Sequence, residues 1–331
     1  MNGEALGHLM AGASSGWGLS TRVEVDGCPL FVKAVPVTER ELDAGLPTTN
    51  LYGIPPSFNY PFGSPGLSVG RELAFARQST EWVDSGECSS FPILICDHVI
   101  ERPEPARAVS GDYSAYRGDV VSVSQYFHDR AAATSALVLV YEDLAECAAD
   151  RILTSPSDVG WIVADIEHAI AFLQARGVVH FDVDLFNVVT DGDRAYIADH
   201  GLVMDPTFDL STEELEFLAR NRHFDRGNLY LAVGHQVYEM YRAQPDHVRQ
   251  RIDLELGLAG GSFETNALRL IDAVDQLDER GLLDVGPTLR ALIAEHRAAI
   301  HFMHDFFTSA RADWSTDTML DDARLAELLV A

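Results

Sequence analysis

The amino-terminal part of the chain carries short runs of alternating or continuous apolar residues, which are typical of β-strands. Four segments have this pattern and are predicted as strands: residues 21–25, 30–35, 91–96 and 137–140. The pair Asp26-Gly27 separates the first two strands and predicts a hairpin turn. Residues 43–66 are rich in Pro, Gly and Asn, which predicts an irregular excursion. Ser68 then provides a cap for a helix.

After residue 150 the apolar residues recur every three or four positions, which is the spacing of amphipathic helices. One hairpin, around Asp191-Gly192, is predicted within this helical part. The order of elements therefore predicts an α+β fold with two lobes. We expect a small β-rich N-lobe over residues 1–143 and a larger, mainly helical C-lobe over residues 144–331.

Residues 177–202 concentrate the side chains that could carry chemistry. A loop after the preceding helix offers His180, Asp182 and Asn187, and the hairpin that follows delivers Asp199. Phosphoryl transfer uses such a set of groups, because one carboxylate orients the attacking hydroxyl while a second carboxylate and a carboxamide bind Mg²⁺. We therefore predict Asp182 as the catalytic base, and Asn187 and Asp199 as metal ligands.

The H-x-D-x-x-x-x-N pattern of residues 180–187 resembles the catalytic loop of protein kinases and aminoglycoside phosphotransferases. Asp199-His200-Gly201 resembles their magnesium-binding D-F-G motif. The chain also resembles a group of actinobacterial protein-kinase-like proteins with an H-F-D-x-x-x-x-N loop. This resemblance implies a two-lobed protein-kinase-like fold that binds ATP and Mg²⁺.

The same resemblance implies roles for two residues of the N-lobe. Lys33, in the strand LFVKAV, is similar to the lysine that binds the α- and β-phosphates of ATP. Glu72 is similar to the glutamate that pairs with that lysine, and Glu39, Glu41 and Glu81 are its rivals.

Two further segments are implied to contact the nucleotide. A turn of small residues lies where kinases place a glycine-rich loop, although its spacing differs, and its backbone amides could approach phosphates. Its candidate residues are Gly12, Ser14, Ser15, Gly16 and Gly18. The hinge between the lobes, where adenine binds in these families, is implied at Tyr141, Glu142 and Asp143. Asp225 is similar to an aspartate that braces the catalytic loop in protein kinases.

Asp184 departs from the family pattern, because protein kinases usually carry a lysine at this position. A carboxylate there would repel phosphate unless a metal or another cation intervened. The alternative is that Asp184 points to solvent or caps the backbone of the loop.

The formal net charge of −27 changes the expected partners. Such a charge repels nucleic acid and anionic membranes and attracts cations, so we expect neither a nucleic-acid nor a membrane partner. A cationic acceptor would suit this surface, although an acidic surface that serves solubility alone is the alternative. The sequence contains no run of 18 apolar residues, so we predict no membrane span. With no signal-peptide pattern and no C-x-x-C pair, we expect a cytoplasmic protein.

These observations predict an ATP-dependent kinase that acts on a hydroxyl group. The segment after Gly201 is short and lacks an A-P-E motif, which favours a small molecule such as an antibiotic or a metabolite. Ser or Thr of a peptide or protein is the close alternative. A third hypothesis, which Asp184 supports, is a catalytically weak pseudokinase that binds nucleotide and acts as a regulator.

Overall fold

The computed structural model of the chain describes residues 14–15, 18–61, 64–101, 120–313 and 318–330. The strands of the amino-terminal part are Ser14–Ser15 (β1), Leu19–Val25 (β2), Cys28–Val37 (β3), Leu94–Glu101 (β4) and Ser135–Glu142 (β5). They form an antiparallel sheet in the order β1-β2-β3-β5-β4. The helices of this part are Glu39–Asp43 (α1), Val69–Ser85 (α2) and Val121–Ala132 (α3).

Alternation along β3 and β5 gives the sheet two apolar faces. Val35 and Leu139 lie on the face that packs against α2, whereas Val32 and Val138 belong to a separate cluster on the other face. Lys33 is paired with Leu139 in the register of the two strands. Because side chains alternate with a period of two, Lys33 shares the α2 face of the sheet with Val35.

The carboxy-terminal part is mainly helical and contains a small antiparallel sheet. Its helices are Ala148–Thr154 (α4), Val159–Ala175 (α5), Thr212–Ala219 (α6), Phe224–Arg242 (α7), Asp246–Leu256 (α8), Phe263–Asp272 (α9), Val274–Glu279 (α10), Pro287–Asp313 (α11) and Asp322–Val330 (α12). Its strands are Glu146–Cys147 (β6), Val188–Thr190 (β7) and Ala195–Ile197 (β8), in the order β6-β7-β8. Helix α7 is buried along most of its length and packs against α4, α5, α9, α11 and α12.

The predicted fold class is confirmed, since a small antiparallel sheet with few helices is followed by a larger helical part. This is the two-lobed α+β architecture expected of a protein-kinase-like fold. The lobe boundary that we predict after residue 143 falls between β5 and β6 and stays a prediction. Across the described ranges, every helix is too short or too polar to span a bilayer.

The described residues of the excursion after α1, 44–61 and 64–66, are irregular apart from a short 3₁₀ helix, Pro56–Asn59. This segment packs against the core of the C-lobe through Tyr60. Tyr60 is 1% exposed. Its hydroxyl donates to Asn221 Oδ1 at 2.8 Å and accepts a hydrogen bond from the amide of Leu320 at 3.2 Å. The excursion therefore ties the N-lobe to the helices of the C-lobe.

A buried ion pair makes a second connection between the lobes. Arg71 on α2 donates from Nη2 to Glu214 Oε1 at 2.6 Å and from Nε to the carbonyl of Thr48 at 2.6 Å. Both partners of the ion pair are 1% exposed. Glu214 also accepts the amide of Ser211 in the capping box that begins α6. Arg71 is followed directly by Glu72, so the Arg71–Glu214 ion pair also holds in place the first turn of α2, which carries Glu72.

We expect Arg71→Met to lower the free energy of unfolding by about 3–5 kcal/mol, because it leaves the Glu214 carboxylate buried without its cation. Arg77→Met, on the same helix, is the matched control. Arg77 pairs with Asp97 at 2.9 Å but is 58% exposed, so the control should cost at most about 1 kcal/mol. Chemical denaturation of both variants provides the comparison. Equal losses would contradict the structural role assigned to the Arg71–Glu214 pair.

Candidate active site

Lys33 on β3 lies between two carboxylates. Its Nζ is 2.7 Å from Glu72 Oε1 and 2.7 Å from Asp199 Oδ1. Glu72 comes from the first turn of α2 and is 4% exposed. Asp199 follows β8 and adopts a left-handed backbone conformation with φ of 57°. The structure thus brings together three of the residues predicted from the sequence.

Glu72 is the glutamate that reaches Lys33, whereas its predicted rivals Glu39, Glu41 and Glu81 do not. Glu41 is buried and faces elsewhere, because it caps α1 and accepts the first amide of α2 at 3.0 Å. Glu39 and Glu81 are exposed on α1 and α2.

Lys33 and Asp199 hold each other in their charged forms. Burial lowers the pKa of Lys33, but Asp199 and Glu72 outweigh that effect and raise it above its ordinary value. Burial raises the pKa of Asp199, but the Lys33 ammonium outweighs it and brings the pKa down to about 2. The Asp199 side chain remains 43% exposed, so the ionised carboxylate is accessible to a cation.

Asp182 and Asn187 lie on the loop before β7 and line the same cavity as Lys33. Asn187 Nδ2 donates to the carbonyl of Asp182 at 3.1 Å, which leaves its Oδ1 as an acceptor. Burial, and then the charges of Asp199 and Asp184, raise the pKa of Asp182 well above its usual range. Asp182 is therefore a stronger base than an exposed aspartate.

Asp184 caps the backbone of the loop, as one of the two hypotheses for this residue predicts. Its Oδ1 accepts the amide of Phe186 at 2.9 Å, and its carbonyl accepts the amide of Asn187 at 2.9 Å. Burial raises the pKa of Asp184, the Phe186 hydrogen bond lowers it, and the nearby charge of Glu239 raises it further.

Asp225, in the first turn of α7, braces the loop. The residue is 2% exposed, and its carboxylate accepts the amides of His180 at 2.7 Å and Phe181 at 2.8 Å. Phe181 has φ of 65°, a conformation that is costly for a bulky residue. These two hydrogen bonds therefore stabilise the loop shape that presents Asp182. Burial raises the pKa of Asp225 to about 7, although both amides oppose the shift.

Two buried imidazoles lie behind the reactive groups. His180 Nε2 is 3.3 Å from His200 Nδ1, and the ring of His200 packs against Phe75 of α2 with centroids 4.9 Å apart. Burial lowers the pKa of His180 to about 4 and that of His200 well below its usual range. The contacts of these two neutral imidazoles with each other and with Phe75 connect α2 to the loop that contains Asp182. The sequence carries no local signal that separates Phe75 from the other apolar residues of α2.

The predicted small-residue turn is described only in part. Gly12 and Gly16 lie outside the described residues. Ser14 and Ser15 form β1, which pairs with the start of β2. Gly18 lines the cavity that contains Lys33. A Cβ at this position would lie 2.8 Å from the carbonyl oxygen of Ala34, so a larger residue would push the two strands apart.

The predicted hinge lies at the end of β5. Tyr141 is buried on the α2 face of the sheet, in the apolar cluster of Val35 and Leu139. The Glu142 carboxylate accepts the amide of Ile93 at 2.9 Å, and Asp143 accepts from Arg22 Nε at 2.9 Å. All three predicted hinge residues line the cavity that contains Lys33, and Glu142 and Asp143 also hold the backbone of Ile93 and the side chain of Arg22.

Two cavities meet at the loop that contains Asp182 and Asn187. The large cavity, of about 930 Å³, lies between the lobes and contains Lys33 and Asp199. The small cavity, of about 370 Å³, lies between the loop and helices of the C-lobe. Asp182 and Asn187 line both cavities. Groups bound in the two cavities could therefore meet at Asp182.

The donor set suits Mg²⁺ better than a softer metal. The accessible carboxylate of Asp199 and the amide oxygen of Asn187 are oxygen donors, which a hard cation prefers. Mg²⁺ usually takes one or two such protein ligands and completes its shell with phosphate and water. Within the described ranges there is no group of three or more His, Cys, Asp or Glu side chains that would form a closed metal site.

No family model matches the chain. No curated protein matches it either. Among solved structures, one match is WaaP in complex with acyl carrier protein, which is 15% identical with a TM-score of 0.37. The match covers 81% of this chain and 91% of that chain. A likeness at this identity and TM-score identifies neither the family nor the function of the chain. The fold class follows from the two lobes and the order of the strands.

The pKa of Asp225 gives a pH-dependent prediction. The folded chain binds a proton on Asp225 more tightly than the unfolded chain does, because the pKa of this carboxyl is near 3.8 when the chain is unfolded. Its contribution to stability is therefore fully present below about pH 4 and is lost as the pH rises through about 7. Asp225→Asn cannot ionise and should lack this part of the pH dependence, which is of the order of a few kcal/mol.

The measurement is the free energy of unfolding at about pH 5 and about pH 8, on either side of the Asp225 pKa. The exposed Asp305 on α11 supplies the control Asp305→Asn, which should follow the wild-type pH dependence. The same slope in wild type and Asp225→Asn would contradict the protonation assigned to Asp225.

Proposed function

We propose that the chain is an ATP-dependent, Mg²⁺-requiring phosphotransferase that transfers the γ-phosphoryl group to a hydroxyl of a small molecule. The observation that carries this proposal is the position of Lys33, fixed by Glu72 and Asp199 in a cavity that Asp182 and Asn187 also line. A cation, two metal-binding oxygens and a base with raised proton affinity in one cavity match the needs of phosphoryl transfer.

In this proposal the residues of the large cavity bind the donor. Lys33, oriented by Glu72, exchanges its contact with Asp199 for the phosphates of ATP. Asn187 and Asp199 would hold Mg²⁺, which neutralises phosphate charge when bound. Gly18 lets β3 approach closely at the edge of the cavity in which the phosphates would bind.

Asp182 acts on the acceptor. Its carboxylate orients the hydroxyl and takes its proton as the new oxygen–phosphorus bond forms and the bond from the γ-phosphorus to the bridging oxygen breaks, which releases ADP. The raised pKa of Asp182 suits this role, because a base acts best when its pKa lies nearer the working pH. The hydrogen bonds of Asp225 to the loop reduce the reorganisation needed to reach this geometry.

The small cavity favours a small-molecule acceptor over a peptide. Its volume of about 370 Å³ is at the lower end of the usual range for small-ligand sites. The segment between the 3₁₀ helix His200–Leu202 and α6 contains the buried residues Val203 and Met204. Met204 forms an isolated bridge with Val179. Because residues 203–205 are buried, only the short stretch 206–211 contains exposed positions on which an extended peptide could dock.

We expect Asp182→Asn to lower turnover by about 10²–10⁴-fold, the usual contribution of a positioned general base. Binding of ATP with Mg²⁺ should be retained, because Lys33, Asn187 and Asp199 are unchanged. The assay is transfer from labelled ATP to a panel of small hydroxyl compounds, with a thermal shift as the measure of nucleotide binding. Asp193→Asn, an exposed residue in the turn between β7 and β8, is the matched control and should keep full turnover.

Unchanged turnover in Asp182→Asn would remove Asp182 from the mechanism. A thermal shift with ATP but no transfer to any compound in wild type would instead favour the nucleotide-binding pseudokinase, and the absence of both would overturn the phosphotransferase. Transfer to peptides alone would favour the peptide alternative.

A further inference from the structure

The small cavity has an excess of negative charge. Among its described lining residues the carboxylates are Asp182, Asp184, Glu239 and Glu264, and the one Arg or Lys is Arg311. Arg311 is already paired with Glu264 at 3.0 Å. The remaining carboxylates therefore lack a cation that belongs to the cavity itself.

Asp184 and Glu239 face this cavity from the loop and from α7. Asp184 forms no ion pair within the part of the chain that the structure describes, and its hydrogen bond to Phe186 uses only Oδ1. Glu239 contacts Arg242 at 3.3 Å, but Arg242 is 60% exposed, so its charge is screened by water. Two like charges in a partly enclosed space repel each other, and a cation between them would remove this cost.

Two nearly buried polar side chains of the cavity wall provide independent evidence for a ligand. His304 on α11 is 5% exposed and lines the cavity, and among the described residues its imidazole has no hydrogen-bond partner. Asn228 on α7 is also 5% exposed; its Nδ2 donates to the carbonyl of Val183, but its Oδ1 has no such partner in the described ranges. Both residues are nearly buried, and their unpaired polar atoms are accessible from the cavity, so they can hydrogen-bond to a polar group that enters it.

The other walls of the cavity are apolar. Phe186, Phe263 and Phe307 line it, and Phe186 and Phe263 are 60% and 37% exposed. Such rings present apolar surface and a negative π-face, which favour an apolar ligand body and a nearby ammonium group. A ligand that is polar on all sides would place polar groups against the exposed parts of the Phe186 and Phe263 rings.

We propose that the small cavity binds a small primary ammonium compound with an aromatic or apolar face, with the ammonium between Asp184 and Glu239. The apolar face would lie against Phe186 and Phe263. In the context of the proposed function, this compound is the acceptor class and its hydroxyl lies at Asp182. The binding itself does not depend on ATP or on transfer, so it can be tested separately.

The experiment is calorimetric titration of the full chain, without nucleotide, with 2-phenylethylamine, 2-phenylethanol and phenylacetate. These probes share the ring and the chain but differ in charge. The ammonium compound should bind about 10-fold or more tightly than the neutral alcohol, because it gains a charged hydrogen bond in the cavity. Phenylacetate should bind more weakly than both.

Two variants test the placement of the ammonium. Asp184→Asn keeps the acceptor for the Phe186 amide, and Glu239→Gln keeps an acceptor for Arg242, so each removes charge without removing these hydrogen bonds. Each should weaken 2-phenylethylamine about 10-fold and leave 2-phenylethanol unchanged. Glu213→Gln, an exposed residue of α6 outside the cavity, is the control that removes one charge and should change neither affinity.

Three results would overturn the proposal. They are equal affinity for the ammonium and neutral probes, no detectable binding of 2-phenylethylamine, and equal weakening by Glu213→Gln and Glu239→Gln. A parallel titration with ATP and Mg²⁺ keeps this test separate from the proposed function. Nucleotide binding without amine binding would overturn the acceptor class alone, whereas amine binding without nucleotide binding would overturn the phosphotransferase.

Discussion

A lysine ammonium in a largely buried position is stable only when carboxylates offset its loss of hydration. In this chain Glu72 and Asp199 meet that requirement for Lys33, each at 2.7 Å. The three residues come from the sheet, from α2 and from the segment after β8, so one electrostatic constraint fixes the relative positions of three elements. The nucleotide cavity that we propose exists only while these elements keep that arrangement.

The rest of the structure supports this arrangement from behind. The Arg71–Glu214 pair and the packing of Tyr60 anchor α2 and the excursion to the C-lobe. Gly66, at the end of the excursion, lies so close to the carbonyl of Gly201 that a Cβ there would clash. Because these contacts are buried and do not involve an exposed switch segment, we infer that the Lys33–Glu72 pair is preformed in the free chain. Such preorganisation reduces the cost of reaching a reactive geometry.

The sequence predicts best what neighbouring residues determine. Asp182, Asn187 and Asp199 lie within 18 residues (182–199), and the hairpin between them limits their arrangement. The strand pattern around Lys33 and the cap of α2 likewise follow from local signals. The Arg71–Glu214 pair spans 143 positions. The walls of the small cavity come from three separate helices, the loop that contains Asp182, and Pro61 of the excursion. Such contacts depend on tertiary packing, which spacing along one chain does not encode. Asp184 has a different limit, because its hydrogen bond to Phe186 is local but depends on the backbone conformation of the loop, so the sequence leaves this cap as one of two alternatives.

The central claim is that Lys33, Glu72 and Asp199 form a site for a nucleotide and its metal. Calorimetric titration with ATP, with and without Mg²⁺, tests it most directly when wild type is compared with Lys33→Met and Asp199→Asn. The account predicts that Mg²⁺ strengthens ATP binding in wild type, that Lys33→Met weakens it in both conditions, and that Asp199→Asn loses the effect of Mg²⁺. ATP affinity that is the same with and without Mg²⁺, and unchanged in both variants, would contradict the claim.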